Sequence, residues 1–528
     1  MVEELQLRVS PREAANDMLL RQIVSTRMDI DANRLKAVLV TRRSIDARQR
    51  RVMVNVTVRA YVDETPPKSL AEPVEFRLLA PDAPQAIIVG AGPAGLFAAL
   101  RLIEAGIRPI VLERGKDVDS RRLDTAAISR RGVVDPDSNY CFGEGGAGTF
   151  SDGKLFTRSK KRGNVGRVLN ILCQHGADES ILIDVHPHIG TDRLPLVIKA
   201  IRETIRSCGG TVNFNTRVTS LTIDDGRVTG VMTADGTRYD GPIILATGHS
   251  ARDTYRMLAD SGVKIEPKGI AVGVRLEHPQ QTIDRLRYHS PEGRGRWLPP
   301  AEYTMLTRVD GRAVYSFCMC PGGVIVPAAS APGEIVVNGM SSSGRVGRWA
   351  NSGMVVEILP EDLPERYDTA GPLKMMEYQA DIERRFFEDG DGSQNAPAQR
   401  MTDFMAGRLS RDLPPTSYAP GIHSSRVDKL LPEAVSRRLR TAFGEFDRKQ
   451  RGFLTAEATV IGDETRTSSP VRVPRDPETL CHVEIAGLYP AGEGAGYAGG
   501  IVSAAMDGER CAEALARNLD VGSAPISE

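Results

Sequence analysis

Ala86-Ile87-Ile88-Val89-Gly90-Ala91-Gly92-Pro93-Ala94-Gly95 is the stretch that decides the fold. Four apolar residues run into a GxGxxG turn, and Leu96, Ala99, Leu100 and Ile103 follow on one helical face up to Gly106. A second apolar run, Pro109-Ile110-Val111-Leu112, ends on Glu113. The order is strand, tight turn, helix, strand, with an acid at the far tip. Gly90 allows the turn, Gly92 lets the backbone approach a pyrophosphate, and Gly95 lets the helix pack on the strand. The helix N-terminus adds amide donors and a partial positive charge for that pyrophosphate. An acid at position 113 suits ribose hydroxyls, as in the adenosine of FAD or NAD, and repels a 2′-phosphate.

Two later segments choose between FAD and NAD. One is Gly241-Pro242-Ile243-Ile244-Leu245-Ala246-Thr247-Gly248. The other, residues 487–501, packs six glycines between Gly487 and Gly500 around Glu493 and then opens an apolar helix at Ile501. Together with the first unit they resemble the FAD domain of the glutathione-reductase-like flavoprotein superfamily, over about residues 83–250 and 480–520. The remainder looks most like a group of bacterial FAD-dependent dehydrogenases. The resemblance implies FAD as cofactor. It also implies a set of contacts: Gly90, Gly92, Pro93, Ala94, Gly95, Glu113 and Arg114 from the first unit, and Gly145, Gly146 and Gly148 from a second glycine loop. Val218, Thr247 and Gly248 would follow, with Gly492, Glu493, Gly499, Gly500 and Ile501 from the late turn. Glu493 would meet a ribityl hydroxyl, and the late helix would aim its dipole at the flavin.

At 528 residues the chain has room for two to four domains of about 150 residues each. Lysine plus arginine and aspartate plus glutamate balance at 68 each, so no overall field favours nucleic acid or membrane. The basic run Arg158-Ser159-Lys160-Lys161-Arg162 reads as a solvated face. Seven cysteines give neither a disulfide framework nor a zinc set, and no metal is expected. The N-terminus lacks a signal-peptide pattern, and no apolar run is long enough to span a bilayer. A reduced, cytoplasmic protein is the expectation.

The fold expected is α/β: a Rossmann-like FAD domain with an inserted mixed α+β substrate domain and a small N-terminal α+β domain. The boundaries fall at 1–80 for the N-terminal unit, 81–250 for the first part of the FAD domain, 251–479 for the insert and 480–528 for the rest of the FAD domain. In the first unit, Leu5, Leu7 and Val9 alternate as a strand. Ser10-Pro11-Arg12-Glu13 forms a capping box, Ala15, Leu19 and Ile23 keep helical spacing, and Val52 to Val58 alternate again. Residues 211–240 read as a β-meander turning at Asp225-Gly226 and Asp235-Gly236. The insert carries no second GxGxxG unit, so a dedicated NAD(P)H domain is not expected, although NAD(P)H could still reach the flavin transiently.

Residues 140–154, with five glycines, read as a loop whose amides converge on a ligand, and Ser151 and Lys154 are catalytic candidates within it. Arg466 and Arg472, beside Thr465, Thr467, Ser468 and Ser469, suit a carboxylate or phosphate. His249, just past the Ala-Thr-Gly strand, is a candidate acid or base. Cys318 and Cys320 read as inert core cysteines, because no CxxxxC lies on the helix after the first unit. The segment Arg296-Trp297-Leu298-Pro299 lacks the first tryptophan of the halogenase signature, and Gly492-Glu493-Gly494 departs from the Gly-Asp of aromatic hydroxylases. The reading is an FAD-dependent dehydrogenase or reductase that passes hydride between a small-molecule substrate and flavin N5. The alternative is a structural or sensing flavin, with the N-terminal unit docking a protein or RNA partner.

Overall fold

A computed structural model describes residues 1–157 and 162–519. Most of the basic run at 158–162, and the last nine residues, lie outside the described residues. A five-stranded parallel sheet organises the nucleotide-binding half, in the order Leu488–Pro490, Ile243–Leu245, Gln85–Val89, Arg108–Leu112, Thr211–Asn213. Ala86 and Ile88 face one core, shared with the helices Pro93–Glu104, Leu194–Ser207 and Ile501–Asn518. Ile87 and Val89 face another core, against the meander Val218–Asp224, Arg227–Thr233, Arg238–Asp240. Burial on both faces accounts for the unbroken apolar runs in these strands. Thr211–Asn213 thus joins the parallel sheet and not the meander, which begins at Val218.

The insert has a different architecture. Its eight-stranded, mainly antiparallel sheet centres on Ile270–Pro279, with Trp349–Ile358 on one side and Thr459–Glu464 on the other. The long strand Arg312–Pro327 pairs with Trp349–Ile358, but its register slips between Phe317 and Cys320 and again between Cys320 and Gly323. The helices Lys374–Glu388 and Glu433–Lys449 cover this sheet through Ile382, Phe386, Leu439 and Phe443.

Residues 1–62 form a three-stranded antiparallel sheet of Val2–Val9, Met53–Val62 and Leu35–Asp46, with a core of its own. The capping box forms as read: Ser10 accepts from the Glu13 amide and Glu13 accepts from the Ser10 amide. The first helix nevertheless stops at Ala14, and Asn16 caps a second helix, Asp17–Met28. That restart shifts the buried face by one residue, to Leu20 and Val24. Arg43 holds the unit to the nucleotide-binding half through both Asp184 oxygens, at 2.7 and 3.0 Å. Downstream of this unit, Leu79 packs into the core of the nucleotide-binding half. No helix among the described residues is long and apolar enough to cross a membrane.

Candidate cofactor and substrate site

Four glycine-bearing turns meet at the carboxyl ends of the parallel strands. Gly90 sits at φ +105°, and a Cβ there would lie 2.5 Å from the Ala246 carbonyl oxygen. Gly92 caps the helix Pro93–Glu104, with proline at its first position. The glycine loop closes over this turn: the Gly145 amide donates to the Ala91 carbonyl at 2.8 Å, and a Cβ on Gly146 would lie 3.2 Å from Gly92 Cα. A Cβ on Gly494 would meet the Gly248 carbonyl oxygen at 2.4 Å. The cavity so enclosed measures about 350 Å3.

Most of the expected contacts line this cavity. Gly90, Gly92, Pro93, Ala94, Glu113 and Arg114 form one end. Gly146, Gly148, Val218, Thr247 and Gly248 form the walls, with Glu493, Gly499, Gly500 and Ile501 from the late turn. Three expected glycines do not line it, because packing is what excludes their side chains. A Cβ on Gly95 would lie 1.9 Å from the Gly90 carbonyl oxygen, on Gly145 2.1 Å from Thr149 Oγ1, and on Gly492 2.8 Å from Ala94 Cβ. Gly492 also donates its amide to Asp507 at 2.7 Å.

Glu113 is buried and already engaged. One carboxylate oxygen accepts from the Ala91 amide at 2.8 Å, and the other accepts from the amides of Gly115 at 2.9 Å and Gly143 at 3.0 Å. This acid therefore staples the nucleotide turn to the glycine loop, keeps one acceptor site free and lines the cavity. Arg114 lies 4.3 Å over the Phe142 ring and is held by Asp137 and Asp253.

The catalytic candidates divide. Arg472 is a correction: it is exposed on the short strand Val471–Arg472, over the Tyr497 ring, and does not line the cavity. Its neighbour Arg466 does line it, buried in a square of two arginines and two glutamates. Arg466 bonds Glu383 at 2.7 Å and Glu334 at 2.8 Å, and Arg252 bonds the same two acids at 2.9 and 2.6 Å. Burial works against ionisation of Glu383, but the two guanidiniums hold its carboxyl down to about 2. Ser151 turns its hydroxyl inward, donating to the Gly148 carbonyl at 2.7 Å. Loss of solvent, with Arg466 nearby, pushes the His249 imidazole down to about 4, so it is neutral at pH 7. Lys154 donates to the Met319 carbonyl across the interface with the insert.

Glu493 has no counter-ion within ion-pair distance among the described residues. Loss of solvent drives its carboxyl up to about 7, opposed by Lys268. A protonated acid at the cavity wall can donate a hydrogen bond as well as accept one. A Cβ placed on Gly248, Gly499 or Gly500 would meet nothing within 4 Å. Those three bare positions are open to a flat ring, and with the pyrophosphate turn they fit FAD.

A second cavity, of about 560 Å3, adjoins the first and shares Lys154, Phe156, Cys318, Gly499 and Gly500 with it. Sequence reasoning missed its other residues. His186 Nδ1 lies 2.9 Å from Glu302, and its ring stacks on Phe156 at 4.9 Å. Arg345 forms a buried ion pair with Asp152, Nε to Oδ1 at 3.0 Å. The Glu302 hydrogen bond raises the His186 pKa against burial. Burial opposes ionisation of Glu302, but His186, Lys154 and Arg345 bring its carboxyl down to about 2. Cys318 is half-buried, sits at φ +45° beside the register slip and lines both cavities, so it is not the inert core thiol expected. A hydrogen bond from Cys320 lowers its pKa, with Lys154 and Arg275 adding to the effect. Among the described residues no cluster of His, Cys, Asp and Glu is placed to hold a metal.

Comparison with known proteins defines the class. Residues 84–128 match a family described as an FAD binding domain, and residues 269–467 match one described as FAD-dependent protein, C-terminal domain-like. Residues 1–61 match a domain of unknown function. FAD is the cofactor of the chain. An uncharacterized protein of Clostridium beijerinckii is 42% identical over 439 residues, covering 82% of this chain and 81% of the relative. The chain belongs to the family of that protein. Among solved structures, the chain is remotely similar to CtdE in complex with FAD (12% identity, 83% and 85% coverage, TM-score 0.34). It is also remotely similar to the flavin-dependent brominase Bmp2 (14%, 84% and 80%, 0.36).

Proposed function

We propose that the chain is an FAD-dependent oxidoreductase, of the dehydrogenase or reductase type, acting on a small molecule. The observation that carries this reading is the direction of the cofactor cavity. The Gly90 turn and Glu113 mark the adenosine and pyrophosphate end, so the flavin end is the opposite one. There the wall passes from the nucleotide half to the insert, through Phe317, Cys318 and Asn338. When bound, FAD supplies two-electron transfer with a substrate carbon.

The chain's own residues supply the setting. The N-terminus of Ile501–Asn518 faces the cavity at Gly500, and its amides favour negative charge there. Lys154 adds a full positive charge. Arg466 lends a fixed positive charge, largely neutralised by its glutamates, so it shapes the wall more than it attracts anions. His249, held neutral, offers a hydrogen bond without a charge.

Anaerobic mixing of the yellow protein with a metabolite panel, NADH and NADPH included, tests the reading. Bleaching of the flavin by at least one compound is the expected result. If dithionite bleaches the flavin and no metabolite does, the flavin serves structure or sensing instead.

A further inference from the structure

We infer that the second cavity is the seat of the substrate, and that this substrate carries a carboxylate held by Lys154 and by protonated His186. The inference rests on the oxidoreductase reading. Position is the first ground. The five residues common to both cavities put an occupant of the second against the flavin end of the first. A volume of about 560 Å3 suits a small metabolite.

Charge is the second ground. Arg345 is neutralised by Asp152, to which it is bonded, and its other face lies 3.8 Å from Glu302. Glu302 is in turn paired with His186. Lys154 has a carbonyl as its hydrogen-bond partner and, among the described residues, forms no ion pair. The cavity therefore carries one positive charge in excess while His186 holds its proton, and none once that proton leaves. Glu302, Lys154 and Arg345 are the charged groups acting on that proton; Glu302 favours it and the two cations oppose it. Lys154 is partly buried, and a substrate carboxylate in the cavity would give it the charge partner it lacks among the described residues. Shape is the third ground. Phe156 backs the His186 ring and is 47% exposed, leaving an apolar face beside the charged groups. A carboxylate attached to an apolar or planar body matches that juxtaposition.

Calorimetric titration of the FAD-loaded protein with benzoate and with succinate, against their amides, tests the inference. At least one acid should bind, at least tenfold more tightly than its amide. Its affinity should fall as pH rises through the His186 titration. Lys154→Met should weaken acid binding at least tenfold, and Lys154→Arg should restore most of it. His186→Gln should remove the pH dependence. Equal binding of acid and amide, or failure of both acids to bind a folded yellow protein, would overturn the inference and leave the flavin reading standing. A colourless protein that still prefers the acid would overturn the flavin reading and, with it, the claim that the bound acid is a substrate.

Discussion

The two cavities differ in what their walls are made of. The cofactor cavity has bare glycines in its wall, at Gly90, Gly92, Gly146, Gly248, Gly499 and Gly500. The second cavity is walled by charged and aromatic side chains, Lys154, Phe156, His186, Glu302 and Arg345. A bare-glycine wall is written locally, because a glycine is needed wherever a Cβ would collide or intrude. A side-chain wall is assembled from distant segments: residues 154–156, 186, 302 and 345 meet only after the insert folds against the nucleotide half.

That contrast can be broken most forcefully at Gly95. Valine there would drive a side chain into the Gly90 carbonyl. The expected cost is above about 3 kcal/mol, read as a collapse in denaturant midpoint together with lost FAD. A folded, yellow variant would show that helix and strand are less tightly packed than described.

Arg466→Met comes next. It leaves Glu383 and Glu334 buried with Arg252 alone, at an expected cost of about 3–5 kcal/mol in thermal or chemical unfolding. A stability within about 1 kcal/mol of wild type would contradict the buried square.

Gly500→Val sharpens the comparison at the bare glycines. Its Cβ meets nothing in the protein, so the fold should survive while FAD affinity drops at least tenfold, about 1.4 kcal/mol. Unchanged FAD affinity would remove this turn from the cofactor site.

The last test is a pH slope. Glu493 releases its proton near 7 in the folded apoprotein, and near the ordinary glutamate value of about 4.3 when unfolded. The folded state binds the proton more tightly. Its stabilising effect is full below the unfolded value and is lost as pH rises through 7. Unfolding of apoprotein between pH 4.5 and 7.5 should therefore show a downward slope that Glu493→Gln lacks. Equal slopes would mean that Glu493 is solvated.

The sequence made the nucleotide-binding half legible because its signals are short-range. Gly90 to Glu113 lies within one strand–helix–strand unit, and Ser10 to Glu13 within one helical turn. Its errors share a physical cause. Gly145 and Gly492 look like cofactor glycines, but the requirement at each is a neighbouring atom in the protein, the same packing requirement read at Gly95. The restart at Asn16 shifted a helical face that spacing alone placed at Leu19 and Ile23. Arg466 and Arg472 stand six residues apart with the same chemistry, and only the fold sends one to the cavity and the other to solvent. His186 and Glu302 carry no local signal, since the pair exists only across 116 residues of chain.

A structure of the chain with FAD bound tests the central claim most directly. The expected pose sets the pyrophosphate against the turn from Gly90 to Ala94, at the amides of Gly92 and Ala94, since the Gly90 and Ala91 amides donate to Leu112 and Glu113. It lays the flavin ring along Gly499 and Gly500, with one face open to the cavity of Lys154, His186 and Cys318. A flavin ring lying away from the second cavity, or sealed from it by protein, would contradict it.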